Sequence, residues 1–129
     1  DRQHELHVAY ASCLTGPWRR HKQNPIQKGA ASSRPGGTPI VLPNGSIILP
    51  VQDCLTTYGR GIRPLIFEAL MPDHICCTTG SLFKIPTSLA PYTEGLHTLS
   101  SVGDMTLIDA KKADLSVKGI FLQILREII

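Results

Sequence analysis

Glycine and proline punctuate this chain so often that a long helix has almost nowhere to form. Together they number 21 in 129 residues, and they fall between short apolar runs. Either residue in a helix interior costs about 1 to 3 kcal/mol, so the spacing favours short strands joined by turns. This is the rhythm of an antiparallel β protein. Glu5 to Ala11 (ELHVAYA) alternates as a strand, with Leu6, Val8 and Tyr10 on one face. Thr15 to Trp18 (TGPW) reads as a turn that delivers an aromatic to close over a core. The clearest local signal is Pro43-Asn44-Gly45, flanked by PIVL and SIILPVQD, because Asn-Gly supplies the positive φ angles a tight hairpin turn demands.

Gly61 to Leu70 is a further strand, and Pro64 should place it at an edge or delay its start. Another spans His74 to Ile85, broken near Gly80. Gly95 to Lys111 forms a second hairpin, turning at Val102-Gly103-Asp104. Seven or so strands in sequential hairpins predict an all-β meander, as in a sandwich, a barrel or a propeller. The tail, Gly119 to Ile129 (GIFLQILREII), reads equally as a last strand or a short helix, which leaves residues 1–118 as the body.

Composition narrows the function classes. Apolar residues at 42% suffice for a core, and charged residues at 18% argue against a disordered chain. The net charge is +3, and Arg19, Arg20, His21 and Lys22 form the one dense basic cluster. Just after a turn, such a cluster reads as a solvated loop rather than a nucleic-acid surface. No run approaches the ~18 apolar residues of a membrane span, and no signal peptide opens the chain. The chain starts at Asp1 without an initiator methionine, as a segment or a processed product would. Its cysteines are Cys13, Cys54, Cys76 and Cys77, and none has the CxxC spacing of a zinc site. Adjacent Cys76 and Cys77 are poorly placed to bond each other. A Cys13 to Cys54 bridge and a set of buried unpaired thiols both stay open.

Several short motifs then follow one another in a specific order. Gly16, Trp18, His21, Asn24 and Pro25 form GxW and HxxNP; Ser32, Arg34, Gly36 and Gly37 form SxRxGG. After the hairpin come Gln52-Asp53-Cys54, then Tyr58, Gly59 and Ile62 as YGxxI. The set resembles the N-terminal propeller domain of plant glucosamine inositolphosphorylceramide transferases, which is itself similar to the five-bladed propellers of arabinanase-like glycosidases. GLHTLSSVGDMTLIDAK resembles that family's closing strand pair, with a His before a strand, a turn and a final Ile-Asp. The resemblance covers about Glu5 to Lys112. It implies an all-β, partial five-bladed β-propeller, with residues 1–118 as its late, C-terminal blades, because a blade takes about 40 to 60 residues and this chain holds two blades and part of a third. It also implies a carbohydrate or glycolipid ligand, missing blades or an adjoining domain as partner, and weakly the secretory pathway or Golgi.

Five residues stand out as candidates for a sugar site. Arg34 offers a planar fork of donors beside a glycine pair that lets backbone approach closely, or else it staples neighbouring loops. Gln52 and Asp53 end the apolar run IILPVQD, where side chains leave a core; Asp53 either binds a sugar hydroxyl or caps the turn into Leu55-Thr56-Thr57. Tyr58 either stacks on a sugar ring or packs. For His97 the resemblance implies a place near the propeller axis, where a His helps hold a central metal ion or water; the alternative is a hydrogen-bonded structural His. No other cofactor is implied. His21 and Asn24 most simply organise the turn before Pro25.

Glycoside hydrolysis needs two carboxylates about 5 to 10 Å apart across the scissile bond. Asp53 is the one carboxylate whose motif points at a rim; Glu5, Glu68 and Glu127 sit in apolar runs or the tail, and Glu94 in a loop. No complete acid/base pair is present, catalytic residues stay unassigned, and whether the chain belongs to an enzyme stays open. Three readings follow: a carbohydrate-handling propeller fragment that is inactive alone, a non-catalytic β module binding a glycan or protein partner, and a free-standing β-sandwich whose motif matches are accidental.

Overall fold

The computed structural model describes residues 4–116 and residue 119. The terminal element expected over 119–129 therefore lies outside the described residues, apart from Gly119. Among the described residues eleven strands run in chain order: β1 (Glu5–Leu6), β2 (Ala9–Tyr10), β3 (Arg19–Arg20), β4 (Gln27–Lys28), β5 (Arg34–Pro35), β6 (Ile40–Val41), β7 (Ile47–Asp53), β8 (Gly61–Leu70), β9 (Ile75–Thr79), β10 (Gly95–Val102) and β11 (Met105–Lys111). A short 3-10 turn spans Thr87–Leu89. The all-β expectation holds.

The centre is the antiparallel pair β7–β8, in register from Ile47 opposite Phe67 to Asp53 opposite Gly61. β9 extends it beyond β8, while β5 and β6 both pair with the other edge of β7. Since β5 and β6 run the same way along β7, they act as one lane interrupted at residues 36–39. The result is a four-lane meander.

Strand periodicity puts Ile47, Leu49 and Val51 on one face and Ile48, Pro50 and Gln52 on the other. The first face, with Leu65, Phe67 and Ile75, packs against Leu6, Val8 and Ile26 from the N-terminal segment. Ile62, on the second face, is fully buried as well. Full burial of Val51, Leu65 and Ile62 contributes about 1.5–3 kcal/mol each.

Pro64 does not mark an edge, because β8 lies between β7 and β9. The reason is its register: Pro64 sits opposite Pro50. The Pro50 carbonyl turns outward to accept from Gly36 N–H (2.8 Å), and the Pro64 carbonyl turns the other way to accept from Gly80 N–H (2.8 Å). In an antiparallel ladder a residue's N–H and C=O point to the same side, so the two missing donors face outward and neither breaks the β7–β8 ladder. The Pro43-Asn44-Gly45 turn forms as expected, with one difference. Only Gly45 has positive φ (85°), and the Leu42 N–H donates to Ser46 O (2.8 Å). The loop thus has three residues with glycine in the left-handed position, not two positive φ angles.

The run ELHVAYA splits into β1, paired with β4, and β2, paired with β3. At the break, the Asn24 carboxamide stands in for a strand: its Oδ1 accepts from Val8 N–H and its Nδ2 donates to Val8 O, both at 2.7 Å. Gln23 does the same at Ile75, accepting from its N–H at 2.6 Å and donating to its carbonyl at 3.2 Å. His21 is 3% exposed; its Nδ1 accepts from Gln23 N–H and its Nε2 donates to Met71 O, both at 3.1 Å. His21 and Asn24 do organise this turn, while Arg19 and Arg20 are exposed. Trp18, expected over a core, is 58% exposed. It precedes a two-residue ribbon, far in sequence from the β7–β8 centre that supplies the core. The cysteines are all unpaired, and Cys13 and Cys76 are exposed rather than buried.

β10 and β11 form a separate hairpin, turning through Gly103-Asp104 as expected. It lies against the second face of β7–β8, and glycines permit the approach. A Cβ on Gly37 would overlap the Leu99 carbonyl, and one on Gly36 would come within 2.9 Å of both Gln52 and Ile62. The Leu99 N–H donates to Gly36 O (2.8 Å). The outer side of the hairpin is bare: Val102, Met105 and Leu107 are exposed. Among the described residues no helix is long and apolar enough to cross a membrane.

Candidate functional site

Docking of the hairpin brings His97 to the loop that links β7 and β8. His97 and Thr98 lie at a bulge in β10, between Leu96 opposite Ala110 and Leu99 opposite Ile108. A bulge sets two residues against one and turns both N–H groups the same way. Asp109 faces them: its Oδ1 accepts from His97 N–H (2.9 Å) and from Thr98 N–H, and its Oδ2 from His97 Nδ1 (3.2 Å). Partial burial pushes the Asp109 carboxyl up, but the Thr98 and His97 N–H groups, with the Thr98 side chain and the His97 ring, outweigh it and hold the group below its ordinary value.

In the tautomer whose Nδ1–H donates to the Asp109 carboxylate, Nε2 accepts from the Tyr58 hydroxyl. The two rings are tilted by 46° with centroids 4.7 Å apart. Gly59 (φ 67°) turns the loop so that its open Cβ position faces the His97 ring. Arg34, on β5, extends its guanidinium over the Tyr58 ring, 5.3 Å from the centroid, which is within reach of a cation–π contact. Lys111 Nζ donates to Tyr58 O (3.4 Å). Three of the five sequence candidates, Arg34, Tyr58 and His97, thus meet in one cluster. Tyr58 keeps 59% of its surface exposed.

Gln52 and Asp53 are placed differently. Gln52 is 4% exposed and donates from Nε2 to His97 O (3.1 Å), so it supports the cluster from beneath. Asp53 is fully buried. Its Oδ1 accepts from Leu55 N–H (3.1 Å), capping the turn, and its Oδ2 accepts from Arg63 Nε (2.7 Å), with Arg60 Nη1 at 3.4 Å. Burial pushes its carboxyl up, but the Leu55 N–H and the two guanidinium groups outweigh it and lower it from its ordinary value.

Both ring nitrogens of His97 are engaged, and among the described residues no group of three metal-ligating side chains occurs. Asp109 is the cluster residue that the sequence candidates omit. Counting the register back from the Gly103-Asp104 turn sets residue 109 opposite residue 98, so the hairpin pattern carried the signal.

Residues 1–79 match the family model for glucosamine inositolphosphorylceramide transferase 1, N-terminal. The chain belongs to this family. Among curated relatives, the glucosamine inositolphosphorylceramide transferase 1 of Arabidopsis thaliana is 40% identical over 100 residues, covering 76% of this chain and 12% of the relative. Its counterpart in Oryza sativa subsp. indica is 39% identical over 72 residues, covering 54% of this chain and 10% of the relative, and that in subsp. japonica gives the same figures. The chain spans about a tenth of the length of these relatives. No solved structure matches it significantly. The matched N-terminal family region holds Arg34, Gln52, Asp53 and Tyr58, while His97 and Asp109 lie beyond it.

Proposed function

We propose that this chain contributes one wall of a carbohydrate-binding funnel in a propeller associated with sphingolipid glycosylation, and that it binds rather than transforms the sugar. The observation that carries the reading is the convergence of Arg34, Tyr58 and His97, from three separate parts of the sequence, into one exposed polar-aromatic cluster. An exposed Tyr edge with a guanidinium donor beside it suits a sugar, which offers apolar C–H faces and hydroxyl groups. Gln52 and Asp53 act in this reading as supports under the cluster. The carboxylates nearest it are committed, Asp53 to Arg60 and Arg63 and Asp109 to His97, which favours binding over hydrolysis.

The four-lane meander, covered by the N-terminal segment on one face and by the β10–β11 hairpin on the other, supports the propeller reading. Meander sheets stacked face to face are how propeller blades pack. In this reading β10–β11 opens the next blade, and further polypeptide covers Val102, Met105 and Leu107. The relatives' names point to a glycolipid as the sugar's carrier.

The test is binding of the chain to a panel of neutral oligosaccharides and glycolipid headgroups, followed by saturation-transfer NMR. Tyr58→Ala and His97→Ala each weaken the best ligand about tenfold while the thermal transition stays within a few degrees of the parent. Binding that survives both substitutions unchanged sinks the proposal.

A further inference from the structure

The β2–β3 ribbon carries a loop, residues 11–18, whose tip is bare and apolar. The tip is a pinned turn: Gly16 N–H donates to Cys13 O (3.0 Å), and the Cys13 thiol donates to Gly16 O (3.1 Å). Leu14, inside that turn, is 87% exposed, and Trp18 is 58% exposed. The indole lies against the same turn, since a Cβ on Gly16 would come within 3.1 Å of Trp18 Cδ1. Leu14 and Trp18 thus share one projection, and neither belongs to the hydrophobic core.

The charge behind this tip has one sign. Arg19, Arg20 and Lys22 follow Trp18 and are all exposed. Adjacent strand residues face opposite sides, so Arg19 and Arg20 flank the ribbon on both. Among the described residues none of the three cations pairs with a carboxylate. Arg20 Nη2 donates to His7 Nδ1 (3.3 Å), and Glu5 comes near only through the other nitrogen of that ring (3.1 Å). No Asp or Glu occurs between Glu5 and Asp53, a stretch that holds Arg19, Arg20, Lys22, Lys28 and Arg34.

A second apolar protein surface would cover the tip and leave these cations unmatched. An anionic bilayer matches both parts: indole is favoured at headgroup depth, leucine at the acyl boundary, and Lys and Arg beside lipid phosphates. We propose that the 11–18 loop docks the chain onto an anionic membrane surface, with Leu14 and Trp18 entering the interface and Arg19, Arg20 and Lys22 meeting the lipid phosphates. The loop lies in the interface and does not span the bilayer. This docking uses none of the residues of the proposed sugar site and stands or falls separately from it.

Trp18 is the single tryptophan of the chain, so its fluorescence reports on this tip alone. The full 129-residue chain is titrated with vesicles of phosphatidylcholine, and of phosphatidylcholine with an equal part of phosphatidylserine, at low and high salt. Phosphatidylserine vesicles are expected to move the emission to the blue and shield it from a water-soluble quencher. Phosphatidylcholine alone binds at least about tenfold more weakly, and high salt releases the chain. In vesicle sedimentation, Arg19→Gln combined with Arg20→Gln lowers the partition coefficient about 25-fold, roughly fivefold for each cation. Trp18→Ala lowers it about tenfold and Leu14→Ser about threefold, both with Tm unchanged because the side chains are exposed.

No blue shift with phosphatidylserine vesicles at low salt overturns the proposal, as does binding that the double arginine variant leaves unchanged. Vesicle binding with Trp18 still open to the quencher, or the same shift produced by soluble heparin, assigns the cluster to a polyanion and overturns membrane docking. A blue shift that grows with protein concentration in the absence of vesicles assigns the tip to a second protein surface, with the same consequence.

Discussion

The β7–β8 pair and the β10–β11 hairpin are built from strands of similar length, yet they take opposite roles. β7–β8 is covered on both faces, and its aspartate, Asp53, is fully buried between Arg63 and Arg60. β10–β11 is covered on one side only, and its aspartate, Asp109, leaves 53% of its side chain exposed while it orients His97. One carboxylate fixes the fold; the other fixes the tautomer of a side chain at the surface. A charge is held firmly where water is excluded and retains freedom to serve a ligand where water remains.

The comparison breaks first if Asp53 is dispensable. Asp53→Ala leaves Arg63 and Arg60 unpaired beside a buried site and should cost about 2–4 kcal/mol, read from urea unfolding. That range is set below the fully buried case because both arginines keep contact with solvent. Next in size, Gly37→Ala forces a methyl group into the Leu99 carbonyl and should cost about 1–3 kcal/mol. Its signature is local: amide exchange in residues 95–111 accelerates while that of β7 and β8 changes little.

Acid separates the two aspartates further. The Asp53 carboxyl is lower in the folded chain than its ordinary value near 3.8. Its contribution is therefore complete above that value and is lost as the pH falls through the lower folded one. An unfolding series from pH 6 to pH 2 should show a stability decline in the parent that is clearly smaller in Asp53→Asn. Asp109→Asn is expected to change stability by less than about 1 kcal/mol, since the group is half exposed. It should still alter the tautomer of the His97 ring, read from its 15N shifts, because the amide no longer requires a donor at Nδ1.

The pattern of breakers in the sequence was enough for the all-β class, both hairpin turns and the β8 span. It misled at Pro64, where the single-strand rule for proline ignored the cross-strand partner Pro50 that makes the position harmless. It misled at Trp18 too, since burial depends on which elements cover a ring, and a two-residue ribbon covers little. At the site, Arg34, Tyr58 and His97 were legible as individual residues of suggestive type. Their meeting was not, because it depends on the glycines at 36 and 37 admitting the hairpin, a contact of long sequence separation. The turn register sets Asp109 opposite residue 98, but the bulge that brings His97 to the same carboxylate leaves no mark on an alternation pattern. Asp53 looked outward in the sequence and is buried in the fold, because two arginines downstream claim it.

The most direct measurement is side-chain NMR of the ring protons of Tyr58 and His97 during titration with the best sugar ligand. The binding-wall account predicts that both rings, with the Arg34 Nε–H, shift together along one saturating curve while β7 and β8 amides stay nearly still. Saturating shifts confined to another surface, with these three side chains unmoved, would contradict it.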